Sequence, residues 1–290
     1  MRRIFFFLLT FLMISCGRNI AKPDNSIITV SIAPFKYFIE EIAGNDFTVN
    51  IMVPAGADPH VYEPFPEQIN KLRKSVAYIS NGYLGFEMNW LDRFYEANPS
   101  MKRLSLGDSI RPIAPEHHRI GDHIEGADPH YWVSPKCALV MAGSVRTLLC
   151  ELNPSQKQKY DSNYNVLILK IQDIDKKARG YFSVTQARSF MIYHPNLAYL
   201  AKDYGLEEIP VEFEGKEPTP SRLRDLIDHS RKDHIKTIFV QREYDTKNAK
   251  VIAGEIGAQI TVIDPLSENW AKSVGEIIEA LHKSLIDSSK

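Results

Sequence analysis

Apolar positions along this chain follow two rhythms. Short runs rich in Ile, Val, Phe and Tyr alternate with stretches whose apolar residues recur every three or four positions. In the first half, the short runs predict strands over 27–33, 47–53, 76–80 and 102–105. The intervening stretches predict helices over 37–43, 66–75, 87–97 and 135–152, the last opening on Pro135. The second half repeats the alternation, with strands expected over 189–193, 208–213, 237–241 and 259–263. Helices are expected there over 196–204, 221–232, 246–256 and 269–286. Strand and helix in strict alternation make βα units around mostly parallel sheets.

One segment breaks the pattern. After Pro154, up to about Lys177, there is neither Gly nor Pro, and Tyr160, Tyr164, Leu167, Leu169, Ile171 and Ile174 form a helical stripe. Asn153 suits an N-cap before Pro154, and Gly180 suits a stop. A helix of about 25 residues is about 37 Å long. The expected fold is therefore α/β: two lobes with mostly parallel sheets flanked by helices, joined by one long helix. The expected divisions are an N-terminal lobe over 27–152, the connecting helix over 153–181 and a C-terminal lobe over 182–290. Ligands of open parallel sheets bind beyond the carboxyl ends of the strands, so facing lobes make a cleft between them.

The amino terminus stands outside this scheme. Arg2 and Arg3 precede an apolar run of about 11 residues, Ile4 to Ile14, against the roughly 20 needed to span a bilayer. A basic start before a short apolar stretch reads as an export signal, here 1–15. The small residue Ser15 before Cys16 resembles a bacterial lipobox, whose Cys is lipidated and becomes the first residue of the mature chain. Residues 16–26 are polar and without periodicity, and read as a tether.

Composition narrows the function classes. The 290 residues carry 35 Lys plus Arg against 36 Asp plus Glu, a balance that gives no reason to expect nucleic acid. Losing 1–15 removes Arg2 and Arg3, leaving 33 basic against 36 acidic residues. Three Cys cannot build a Cys-only zinc ribbon. Cys137 and Cys150 fall in one expected helix, about 20 Å apart, so they are expected unpaired and partly buried.

The chemistry lies in the histidines. The word Gly-Ala-Asp-Pro-His occurs at 56–60 and again at 126–130. Its Pro fixes its own φ and keeps the preceding Asp extended, which holds the His at a defined point. A repeated helix-start turn is the plainer account of the word. Against that account, His60 and His130 each lie just upstream of a helix-opening Pro, and rigid loops are what preorganised ligands need. His194-Pro195 and Asp264-Pro265 each follow an expected strand in the second lobe. Together His60, His130, His194 and Asp264 give three imidazoles and one carboxylate, two from each lobe. That set suits a borderline divalent ion, and zinc accepts nitrogen and oxygen ligands in a four-coordinate shell. Calcium and magnesium fit poorly, whereas copper(II), nickel, manganese and iron(II) stay open on ligand type.

Four segments carry a resemblance: GADPHVYEPFP (56–66), GADPHYWVSP (126–135), YHPNLAYLAKDYGL (193–206) and VIDPLSENW (262–270). In this order they resemble the substrate-binding lipoproteins of zinc and manganese ABC uptake systems, the cluster A-I family. The likeness spans nearly the whole mature chain. It implies a bilobal α/β fold with one long connecting helix, the metal between the lobes, and His60, His130, His194 and Asp264 as its ligands. Manganese-selective members tend to have Glu at the third position, so His194 points to zinc over manganese or iron. The resemblance also implies an ABC permease and its ATPase as partners, a lipid anchor on Cys16 outside the cytoplasmic membrane, and a monomer. Zinc-binding members often have a His-rich acidic loop before the second motif. Here it is short, with His117, His118 and His123 as a possible secondary metal or capture site, or simply a polar surface loop. Glu217, in the loop after a second-lobe strand, is expected to accept from a ligand His. His229 and His234, five apart, read as surface or capping residues, and His282 as exposed. Tyr62, Phe65, Tyr131 and Trp132 are expected to pack around the site.

Three His and one Asp fill a tetrahedral shell, which favours holding a metal over activating water. No HExxH, GxSxG or P-loop word occurs. The alternative from another class is an exported zinc hydrolase using Glu214 or Glu217 as base.

Overall fold

The structure is a computed structural model and describes residues 26–114, 119–120, 123–124, 126–212, 218–244 and 247–289. Cys16, the export signal, His117, His118, Glu214 and Glu217 lie outside the described residues, as does the side chain of His123.

The first lobe is built from β1 (Ser26–Ile32), α1 (Pro34–Ala43), β2 (Phe47–Val53), α2 (Pro66–Leu72), β3 (Ser75–Ser80), α3 (Gly85–Ala97) and β4 (Lys102–Ser105). Its four strands are all parallel in the order β2-β1-β3-β4. A two-residue-strand hairpin, β5 (Arg119–Ile120) and β6 (His123–Ile124), precedes α4 (Pro135–Leu152). The second lobe runs β7 (Ser189–Ile192), α6 (Ala198–Tyr204), β8 (Glu207–Pro210), α7 (Pro220–Lys232), β9 (Thr237–Gln241), α8 (Lys247–Ile256), β10 (Gln259–Ile263) and α9 (Trp270–Ser288). Its sheet is also parallel, in the order β10-β9-β7-β8. Parallel strands covered on both faces read as nearly continuous apolar runs, and β1 is accordingly buried over its last five residues.

Between the lobes runs α5 (Lys157–Val184), 28 residues and about 42 Å long. It differs from the expected helix at both ends. Asn153 heads a short 3-10 turn, Pro154–Gln156, and makes no side-chain cap. The helix then passes through Gly180 without stopping. Ala178 and Phe182, buried on either side of Gly180, keep that turn helical. A glycine ends a helix only where the chain adopts a left-handed turn, as Gly205 does after α6 (φ 66°).

The main core is continuous across the lobes. It joins the N-terminal sheet, α4, α5 and α9 to Phe190, Ile192 and Phe239 of the second sheet. A smaller core, with Met191, Ile209, Leu226, Ile238 and Val240, lies under α7 and α8. The lobes are also tied by paired indoles. Trp132 Nε1 donates to Pro265 O (2.9 Å), and Trp270 Nε1 donates to Trp132 O (2.6 Å). Trp270 packs its ring on Phe38 of α1, with centroids 5.3 Å apart. Cys137 and Cys150 are free and partly buried in α4. His282 is stacked on Tyr181 at 4.2 Å and half-buried, rather than exposed, because α9 packs along α5.

Candidate metal centre

Both copies of the repeated word fold alike. Gly56 and Gly126 take left-handed φ values of 80° and 75°. Asp58 and Asp128 each accept the backbone N–H of the His two residues on, both at 2.8 Å. Such Asp-centred turns fix the local backbone without help from a ladder. Beyond those shared features the copies diverge, with His60 in a turn and His130 opening a short 3-10 helix over His130–Val133. Gly85 is needed beside the first copy, because a Cβ there would meet His60 O at 2.6 Å.

A buried carboxylate ties the second copy to the sheet. Glu87 of α3 accepts from the backbone N–H groups of Asn81 (2.7 Å) and Gly82 (2.6 Å), and from Ser31 Oγ at the end of β1. Asn81 in turn donates from Nδ2 to Pro129 O (3.0 Å) and accepts from Tyr131 Oη (2.7 Å), flanking His130 on both sides. Burial pushes the Glu87 carboxyl up to about 7, against the pull of those donors.

His194 follows β7, the strand with neighbours on both sides where the order of the second sheet reverses. Glu208 holds the backbone just beyond it, accepting from the N–H groups of Asn196 (3.0 Å) and Leu197 (2.7 Å). Burial pushes Glu208 up to about 7 as well. Gln241, ending β9, donates from Nε2 to His194 O at 2.7 Å.

These elements bring the three imidazoles together. Ring centroids are 5.3 Å apart for His60–His130, 5.1 Å for His60–His194 and 5.4 Å for His130–His194. One ligand atom from each ring lies within 4.8 Å of the others. The rings open onto a cavity walled also by Pro59, Trp132, Asn196, Gln241, Glu243, Tyr244, Pro265 and Leu266. The outer nitrogens are spoken for in two rings. His130 Nδ1 pairs with Asp128 at 2.7 Å, and His194 Nδ1 pairs with Glu212 at 3.1 Å. A carboxylate on Nδ1 sets the tautomer and leaves Nε2 with a free lone pair. Nε2 of His60 and of His194 are both buried without a hydrogen-bond partner. Buried polar atoms are rarely left so, and a pair of them facing one cavity is what absent cargo would satisfy. Burial, and then the charges His130 and His194 would carry, lower the His60 pKa to about 3, so its ring is neutral at any ordinary pH. Burial acts to raise the Asp128 pKa, but the His130 imidazole outweighs it and holds the carboxyl below its usual range.

Asp264 is placed differently. Its carboxylate pairs with Arg242 at 2.9 Å and is not in the mutually close set of ligand atoms. Trp132 lines the cavity as expected, whereas Phe65 is 64% exposed and neither it nor Tyr62 forms the wall. The partners of His130 and His194, Asp128 and Glu212, escaped sequence reasoning. Asp128 belongs to the repeated word and was readable as a turn residue only. Glu212 precedes the segment where Glu217 was the expected partner. Tyr244 was also missed, and it stacks on His194 at 4.7 Å. A second cluster, Glu207, His229 and Asp233, is largely exposed and lies at the opposite, amino end of β8.

Residues 28–284 match the family described as zinc-uptake complex component A, periplasmic. The high-affinity zinc uptake system protein ZnuA of Bacillus subtilis is 26% identical, over 96% of this chain and 95% of its own. The zinc-binding lipoprotein AdcA of Streptococcus pneumoniae is 25% identical over 94% of this chain, which spans 57% of that longer protein. A crystal structure of ZnuA superposes with a TM-score of 0.84 at 33% identity, over 90% of this chain and 99% of the other. A zinc-bound ZnuA deletion variant gives 0.83 at the same identity, over 90% and 98%.

Proposed function

This chain belongs to the zinc-uptake complex component A family, and from that premise we propose that it captures zinc outside the cytoplasmic membrane and delivers it to an ABC permease driven by its ATPase. His60, His130 and His194 are the primary ligands. The observation that carries this reading is the near-equilateral triangle of imidazoles on one cavity, with the Nε2 atoms of His60 and His194 buried and unpartnered. Three imidazole nitrogens suit zinc better than manganese or iron(II), which favour oxygen-rich sets. Asp264 is the fourth ligand of the set whenever its pairing with Arg242 opens. The short loop with His117, His118 and His123 serves as a capture site for the same ion.

The chain acts as a carrier, in keeping with relatives named for zinc uptake and zinc binding. A lipid on Cys16 anchors it as a monomer, in keeping with the lipoprotein name of AdcA. Among the described residues no helix is long and apolar enough to cross a membrane.

The test is a zinc titration against a fluorescent chelator. His194→Ala should lose zinc affinity by at least about 100-fold while its far-ultraviolet circular dichroism stays that of wild type, since a ligand is removed from a four-coordinate shell. Wild-type affinity in that variant would sink the ligand set.

A further inference from the structure

The carboxylate of the ligand set is already engaged. Asp264 Oδ2 lies 2.9 Å from Arg242 Nη1. The two are set side by side by the sheet. Ile263 and Gln241 are register partners in the β9–β10 ladder, and Arg242 N–H donates to Ile263 O at 3.0 Å. Arg242 and Asp264 are therefore the first residues past two paired strands, at the edge of the cavity. Gln241 and Glu243, on either side of Arg242, form part of the wall, as do Pro265 and Leu266 next to Asp264. The ligand atoms that already lie close together are three imidazole nitrogens and no carboxylate oxygen.

We propose that Arg242 sets the metal selectivity of this site by withholding Asp264 from the ion. The idea rests on the three histidines being the metal ligands. Zinc gains most of its binding from nitrogen donors and accepts a water as its fourth ligand. Manganese, a harder ion, depends more on oxygen donors. An ion that recruits Asp264 must first break the Arg242 pair. That cost falls on manganese, which needs the carboxylate, more than on zinc, which does not. The pair is partly exposed, with Arg242 68% and Asp264 27% accessible. Its strength is that of a surface ion pair, worth a factor of about 5 in an equilibrium at most. Arg242 thus tilts the choice of ion and does not close the site.

The measurement is the ratio of manganese to zinc affinity, from competition titrations of the full metal-free protein with each metal alone. A ratio is the right readout because removing a cation attracts both dications equally. Arg242→Ala should raise the ratio by about 3- to 5-fold, the range of an exposed pair. Arg242→Ala combined with Asp264→Ala should bring it back to the wild-type value or below, because manganese then has no carboxylate to recruit. An unmoved ratio in Arg242→Ala, or a raised ratio that survives in the double variant, overturns the proposal. His194→Ala in the same titrations separates the two ideas. Wild-type zinc binding there overturns the triad and this proposal together. Lost binding there, with an unmoved ratio in Arg242→Ala, overturns this proposal alone.

Discussion

At the scale of single residues, the three imidazoles of the proposed site are held by groups around them. Glu212 fixes the His194 ring through Nδ1, as Asp128 fixes His130. Glu212→Gln keeps the shape but allows the ring to flip or change tautomer. It should weaken zinc binding by about 10- to 100-fold, the usual effect of removing such a partner. Chelator competition reads this directly, and an unchanged affinity would show that Tyr244 stacking alone orients the ring. The histidines themselves were legible because a repeated five-residue word and two strand-end X-Pro pairs marked the places. Their partners were not. An acid that lies 18 positions from its histidine becomes its neighbour only through the parallel pairing of β7 with β8. Arg242 was invisible for the same reason: a charged residue after a strand looks like any exposed turn until the neighbouring strand supplies its partner.

At the scale of elements, the alternation of apolar runs located every long strand and helix among the described residues, most plainly at a central strand such as β1, whose last five residues are buried. The helix ends were harder to read. Gly180 looked like a stop, yet whether glycine turns left-handed depends on what packs beside it, and buried Ala178 and Phe182 flank it within α5. That gives a sharp expectation. Gly180 is exposed, and a Cβ there would meet no atom within 4 Å. Gly180→Ala should stabilise the protein by roughly 0.5–1 kcal/mol through reduced freedom of the unfolded chain. A thermal melt of the metal-free form should move up by about 1–4 °C, with zinc affinity unchanged. A lower melting temperature would mean that the glycine is needed for a bend in α5.

At the scale of the whole molecule, stability and pH are linked through buried ionisable groups of opposite sign. Glu87 has a folded pKa of about 7, above the ordinary 4.5. Its protonated form is favoured by folding, so its contribution is fully present below about 4.5 and is lost as pH rises through about 7. His60 runs the other way. Its folded pKa of about 3 lies below the ordinary 6.5, so its contribution is full above about 6.5 and is lost as pH falls towards 3. Denaturant melts of the metal-free protein at pH 5 and pH 8 should show Glu87→Gln losing less stability across that interval than wild type does, whatever its absolute stability. Equal slopes would mean that the donors around Glu87 keep it ionised throughout. The crossed indoles between the lobes have a further consequence, an optical one. Trp132 lies 5.2 Å from the His130 ring, and both it and Trp270 are buried, leaving only Trp90 elsewhere. Two of the three tryptophans are thus buried between the lobes, and one of them, Trp132, lines the cavity of the three histidines. Titrating the unlabelled protein with zinc, or with a paramagnetic ion that quenches light, turns occupancy into colour and intensity without any added dye.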